Sequence, residues 1–317
     1  MRRRIAAVAL VAAVPAVLVG APAESAVRTV YGTSCPTFPA DNYWHADVSR
    51  LPVHPRSAAW KSNMSPTRRL HPDFGPSDGY PYGIPITVVA GTHAKVPVTF
   101  EYADESDRVR YPLGSDSRIE GGWNATGDRH VIMVDKATCR LYETFATRRS
   151  GTRWYAGSGA TWDLRGNALR PSGWTSADAA GLPILPGLLR YDEVQAGYVD
   201  HAIRFTTNVT DRRFVWPARH QAGSVNNANY PPMGARFRLK AGFPISRYRG
   251  DTQVVLKAMK RYGLVLADNG SPWYFQGERS SGWPPALVEE LKRIPATAFV
   301  AVDTSSLKVS ADSMAVR

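Results

Sequence analysis

From residue 86 onward, short apolar runs alternate with Gly, Asp, Asn and Pro. Runs of this length bounded by turn-forming residues are typical of β-strands. The pattern predicts ten strands, at 86–90, 96–102, 130–134, 140–145, 199–206, 214–216, 235–239, 264–267, 273–275 and 299–302. The segment 135–138 is short and polar, and it therefore predicts a hairpin that joins the third strand to the fourth.

Three segments have helical periodicity. In 252–262, Val255, Leu256 and Met259 share one face, Asp251 is a candidate N-cap and Gly263 ends the helix. The segments 191–196 and 285–293 predict two shorter helices. Many strands with few helices predict a mainly β fold, either an antiparallel β-sandwich of jelly-roll type or a closed barrel, with two or three short helices.

The first residues differ from the rest of the chain. Arg2, Arg3 and Arg4 precede an apolar run at 5–19, and Ala-Pro-Ala follows at 21–23. These are the three parts of a secretory signal peptide, and the apolar run is short for a membrane anchor, the alternative interpretation. We therefore expect a signal peptide at 1–26, an extended N-terminal wrap at 27–85 and a single β-rich domain at 86–317. The expected location is extracellular, without a membrane anchor.

The chain has two cysteines, Cys35 and Cys139. An even count in an exported protein predicts one disulfide, and two such distant thiols match no zinc-ligand spacing. The alternative for either residue is a nucleophilic thiol.

The formal charge is +12, or about +9 after loss of the three leader arginines. The basic residues are dispersed, and no nucleic-acid-binding motif accompanies them. Two interpretations remain: a solvated basic surface, or affinity for an extracellular polysaccharide or cell-wall glycan, including an acidic one.

Three acids are candidate catalytic groups. Glu143 shares a strand face with Leu141 and Phe145, where burial would raise its pKa as a general acid requires. Asp268 ends a predicted strand, and Asp178 lies among small residues. Each also has a structural explanation: a glutamate paired with an arginine for Glu143, and turn formation for the two aspartates.

Aromatic and basic residues supply candidates for substrate binding, most of them within or near the segment 174–220. The set comprises Arg204, Trp216, Arg219, His220, Trp162, Trp273 and His130. We expect neither a cofactor nor a metal, although His130, His201 and His220 would form a site if their rings converged.

Six segments carry a resemblance to a known family, at 127–130, 157–160, 176–188, 200–202, 232–234 and 262–273. In these segments the chain resembles a poorly characterised family of secreted bacterial proteins, and the likeness covers most of the sequence after about residue 40. The resemblance implies export and a single folded unit. It implies no activity and no catalytic residue.

Export, nine tryptophans and acids near aromatics predict a carbohydrate-active enzyme. This would be a glycoside hydrolase or a polysaccharide lyase with paired carboxylates in an aromatic-lined cleft. One alternative is a noncatalytic binding protein for glycan or cell wall. Another is a metal-dependent secreted enzyme with a histidine site.

Overall fold

The computed structural model describes residues 27–77 and 80–317; the expected signal peptide lies outside this part of the chain. The fold is mainly β. Its strands are β1 (His71–Asp73), β2 (Gly75–Ser77), β3 (Tyr80–Tyr82), β4 (Ile86–Val89), β5 (Val98–Phe100), β6 (Val131–Asp135), β7 (Arg140–Phe145), β8 (Arg148–Ser150), β9 (Arg153–Ala156), β10 (Ser158–Asp163), β11 (Ile203–Thr207), β12 (Arg236–Leu239), β13 (Leu264–Asn269), β14 (Tyr274–Gln276) and β15 (Phe299–Val302). Its α-helices are α1 (Ser57–Ser62), α2 (Tyr191–Gln195), α3 (Gly250–Arg261) and α4 (Pro285–Leu291).

The largest sheet has six strands in the order β1-β14-β11-β13-β12-β15. β11 pairs in parallel with β13, and β12 pairs antiparallel with both β13 and β15. Helix α3 packs against β12 and against α2 and α4. Its apolar face is buried as the periodicity predicts, but Arg249 is the N-cap and Asp251 lies in the first turn.

A second sheet has four strands in the order β10-β7-β6-β4. The predicted hairpin is confirmed, with β6 and β7 antiparallel from Val131↔Thr144 to Asp135↔Arg140. One face of this sheet contributes Ile132 and Leu141 to the main core. The other face contributes Met133 and Tyr142 to a smaller core that includes side chains of β5 and β9. Because both faces are covered, almost every residue of β6 and β7 is buried.

The structure corrects two parts of the predicted fold class. The described strands form no closed barrel, and the sheets are mixed rather than antiparallel, because β1–β14, β4–β6, β5–β9 and β11–β13 are parallel pairs. The predicted strand at 214–216 is also wrong: this segment makes one isolated bridge, Phe214↔Met233.

The segment 27–85 contributes directly to the fold. Phe38, Trp44 and Phe74 are fully buried in the main core, and β1 forms one edge of the six-stranded sheet. A disulfide joins Cys35 to Cys139, as the cysteine count predicts. Within the described part of the chain, no helix combines the length and apolarity needed to span a bilayer.

Candidate functional site

A cleft of about 360 Å³ opens where loops from both large sheets meet. Asp268 and Asn269 reach it from the end of β13, Phe145 from the end of β7 and Ser158 from the start of β10. Loops supply the remaining lining residues: Tyr102, Glu105, Asp128, Thr175, Ser176, Ala177, Asp178, Ala179, His220 and Ala222. Four carboxyl groups and two aromatic rings therefore line one cleft.

Asp268 combines partial burial with access to this cleft, because a quarter of its side chain is exposed. Its Oδ1 accepts a hydrogen bond from the backbone N–H of Asn269 at 2.7 Å, and its Oδ2 lies 3.8 Å from the guanidinium of Arg204. Burial raises the pKa of Asp268 to about 7, and the charge of Asp178 adds to the rise against the opposing charges of Arg204 and His130. Asp268 can therefore hold and donate a proton near neutral pH.

Asp178 lines the cleft and is held in place by Arg204 of β11. The Arg204 guanidinium donates two hydrogen bonds to the Asp178 carboxylate, at 2.7 and 2.9 Å, and both side chains are almost completely buried. This bidentate geometry gives each carboxylate oxygen a charged hydrogen-bond donor. Asp178 thus holds the loop 174–181 against β11, and its negative charge lies beside Asp268.

His130 lies below the same cleft and is 3% exposed. Its Nδ1 lies 2.6 Å from Oε2 of Glu120, and its Nε2 lies 3.1 Å from the carbonyl oxygen of Ala177. Burial alone would lower the pKa of His130, but the Glu120 carboxylate outweighs it and raises the pKa to about 9. Both ring nitrogens can therefore donate hydrogen bonds at neutral pH.

Glu143 is fully buried and does not line the cleft. Its carboxyl oxygens accept hydrogen bonds from the backbone N–H groups of Ile184 and Leu185, at 2.8–3.1 Å. Burial raises the pKa of Glu143 to about 7, although these two bonds oppose the shift. Its geometry indicates that it positions the 3-10 turn Leu185–Gly187.

The structure brings some predicted residues to the cleft and places others elsewhere. Asp178, Asp268 and His220 line it, with Arg204 and His130 close beneath. Trp162 and Trp216 line two other cavities. Trp273 is fully buried in the core, and Arg219 binds Ala311 and Asp312.

The three histidines considered for a metal site do not converge. His130 pairs with Glu120, His201 lies 3.0 Å from Glu193, and His220 contacts the carbonyl oxygen of Ala179. Among the residues that the structure describes, one group has ligand atoms close enough for an ion, namely Glu193, Asp200 and His201. Arg190 already pairs with Glu193 there, so a buried ion-pair network explains the group.

Two cleft acids were missed from the sequence, Asp128 and Glu105. Asp128 is exposed, and the sequence around it has no apolar periodicity that would have indicated a site. Glu105 ends the short 3-10 turn Ala103–Glu105, which also lacks such a pattern. Its Oε2 accepts a hydrogen bond from the backbone N–H of Thr175 and lies 3.8 Å from His220.

Comparison of the chain with protein-family models, with curated proteins and with solved structures finds no match in any of the three. The geometry of the cleft is therefore the basis for inferring a function.

Proposed function

We propose that the protein is a secreted glycoside hydrolase that cleaves a polysaccharide in this cleft. The observation that carries the proposal is the presence, in one cleft, of Asp268, whose pKa is raised to about 7, and of the exposed side chain of Asp128. Glycoside hydrolysis needs one protonated and one ionised carboxyl group on either side of the scissile bond.

In the proposed reaction, Asp268 donates its proton to the glycosidic oxygen as the bond from that oxygen to the anomeric carbon breaks. Asp128 either removes a proton from the attacking water or attacks the anomeric carbon itself, and the separation of the two groups in the bound state decides which. The rings of Tyr102 and Phe145 offer apolar faces for the sugar. Tyr102 is 47% exposed and is therefore accessible to a ligand.

Hydrolysis is better supported than lysis. A lyase needs a cation to neutralise the uronate carboxylate, and neither predicted arginine is free for that task. Arg204 is paired with Asp178, and Arg219 is paired with Asp312 away from the cleft. A noncatalytic glycan-binding protein is the second candidate, since the exposed ring of Tyr102 would serve binding alone.

The decisive measurement is the release of reducing ends from a panel of neutral, acidic and amino polysaccharides. We expect Asp268→Asn to lower kcat about 1,000-fold, since the loss of a general acid typically costs a factor of roughly 10² to 10⁴. Asp163→Asn, which replaces an exposed aspartate of β10, is the matched control and should leave kcat unchanged.

The change in kcat can be attributed to the lost proton donor if Asp268→Asn has the melting temperature of a folded protein. Retention of one glycan without any product would favour the noncatalytic binding protein. Full activity of Asp268→Asn would remove Asp268 from the mechanism.

We also propose that the two large sheets form the layers of a sandwich. Side chains of the four-stranded sheet, such as Ile132 and Leu141, belong to the same core as Phe205 and Leu264 of the six-stranded sheet. A shared core between two sheets supports this architecture.

A further inference from the structure

A second cavity, of about 320 Å³, adjoins the cleft at Asp128. It is lined by Asp73 of β1, by Pro81, Tyr82 and Gly83, and by the loop at 120–129. Asp128 lines both cavities. We call the two cavities together the long groove, which extends the candidate site beyond the reacting groups.

Carboxyl groups dominate the long groove, although the chain as a whole is basic. The carboxyl-bearing residues that line it are Asp73, Glu105, Glu120, Asp128, Asp178 and Asp268. Two lining residues can carry positive charge, Arg129 and His220, and the Arg129 guanidinium already donates to the carbonyl oxygens of Trp123, Ala125 and Thr147. The local charge is therefore opposite in sign to the overall charge.

Asp73 is one of the acids of the second cavity, and its carboxyl group is weakly compensated. Its Oδ2 lies 3.5 Å from the side-chain nitrogen of Gln276, and no lysine or arginine within the described residues forms an ion pair with it. Burial raises its pKa, the bond from Gln276 opposes this, and the charges of Glu120 and Asp128 add to the rise.

Gln276 supplies an independent observation beside Asp73. It is 5% exposed, and its Oε1 has no hydrogen-bond partner in the described part of the protein. A buried acceptor without a donor is costly, and this one belongs to the side chain that donates the 3.5 Å bond to Asp73. Of the two residues, Asp73 lines the cavity, and a ligand that carries positively charged N–H donors would satisfy its carboxyl group.

We propose that the long groove binds a polysaccharide with free amino groups, a de-N-acetylated amino-sugar chain, whose ammonium groups face Asp73 and Asp128. This inference rests on the proposed function and names the substrate class of the same site. A uronate chain would place like charges against these acids, whereas an ammonium group supplies both the charge and the donors.

The experiment compares glucosamine oligosaccharides with N-acetylglucosamine oligosaccharides of equal length and with oligogalacturonate, using the full mature protein. We expect kcat/KM for the glucosamine chain to exceed that for the acetylated chain by at least about tenfold, since one good charge contact is worth roughly that factor. Binding of the glucosamine chain should weaken as salt rises from low to physiological concentration.

Asp73→Asn tests the assignment at its most distinctive residue. We expect it to raise KM for the glucosamine chain about tenfold with little change in kcat, because one charge contact is lost. Glu289→Gln is the matched control: it removes one negative charge from the solvated surface of α4, where Glu289 pairs with Lys292, and should change neither constant.

Direct binding measured by calorimetry separates the failure of this inference from the failure of the proposed function. Binding of the glucosamine chain without cleavage would support the groove assignment and remove the hydrolase. Cleavage of an acetylated or uronate chain with no preference for free amino groups would overturn the assignment and keep the hydrolase. Binding of Ca²⁺ in place of any amino sugar would also overturn it.

Discussion

At the scale of single residues, the character of the cleft depends on how each carboxyl group is compensated. Asp178 has a bidentate arginine, Glu120 has a histidine, and Asp268 has only a backbone N–H and a guanidinium 3.8 Å away. Because Asp178 and Arg204 neutralise each other, Asp268 receives little net stabilisation of its anion. It is therefore the cleft acid best suited to exist in both protonation states near pH 7.

The raised pKa of Asp268 predicts a pH dependence of activity and of stability. Its pKa in the folded state, about 7, lies above its unfolded value of 3.8. The folded state therefore holds the proton more tightly, and this contribution to stability is complete below pH 3.8 and is lost as the pH rises through 7. Activity that needs protonated Asp268 should decline over the upper part of the same range, with kcat/KM falling above about pH 7.

Asp268→Asn provides the measurement for stability. At pH 8 we expect the free energy of unfolding of the variant to exceed that of the parent by about 2 kcal/mol, because the variant no longer carries a poorly compensated charge. At pH 4 the two proteins should be equally stable. Equal stability at both pH values in urea titrations would show that Asp268 has an ordinary pKa.

Single-residue environments were only partly predictable from the sequence. Alternation correctly indicated that Glu143 points into the core, and burial raises its pKa as expected. An arginine was the expected structural partner, yet two backbone N–H groups hold the carboxylate. Those groups come from a turn 41 and 42 residues away, and no local pattern encodes such a pairing.

At the scale of elements, local signals succeeded where turn chemistry or helical periodicity was strong. The β6–β7 hairpin and α2, α3 and α4 form close to the predicted segments. β10 was missed because Ser158-Gly159-Ala160 has little apolar character. Gly159 is required there, since a Cβ atom would lie 2.4 Å from the ring of Phe100.

The buried pair of Asp178 and Arg204 joins the loop at 174–181 to β11. We expect Asp178→Asn to lower the free energy of unfolding by about 3–5 kcal/mol, because it leaves Arg204 charged and buried without its carboxylate. Activity should fall with the loss of structure. Denaturant unfolding and activity would be measured on the same preparations.

The double variant Asp178→Asn with Arg204→Met is the control for this contact. Removing both charges should recover part of the lost stability, since the uncompensated cation is gone. If Asp178→Asn were fully stable and yet inactive, Asp178 would have a direct role in the reaction and its assignment as a positioning residue would be wrong.

At the scale of the whole molecule, the pattern of short apolar runs and turn residues indicated a mainly β fold, but it did not indicate the mixed sheets. Parallel pairs such as β4–β6 and β11–β13 join segments that are far apart in sequence. Their register depends on tertiary packing and not on turn residues. The set of acids in the cleft could not be predicted for the same reason, because Asp128, Asp178 and Asp268 come from three distant segments.

The disulfide between Cys35 and Cys139 is the longest-range covalent constraint on this architecture, and it links residues 104 positions apart. Closing a loop of about 100 residues in the unfolded chain stabilises the folded state by roughly 5 kcal/mol in the chain-entropy account. We expect Cys35→Ala with Cys139→Ala to lower the free energy of unfolding by about that amount.

Equilibrium urea denaturation under oxidising and reducing conditions would measure the loss. The parent protein with reductant should match the double variant, whereas the double variant should not respond to reductant. If the stability of the parent did not change when reductant had freed both thiols, the disulfide would contribute nothing to the stability of the fold.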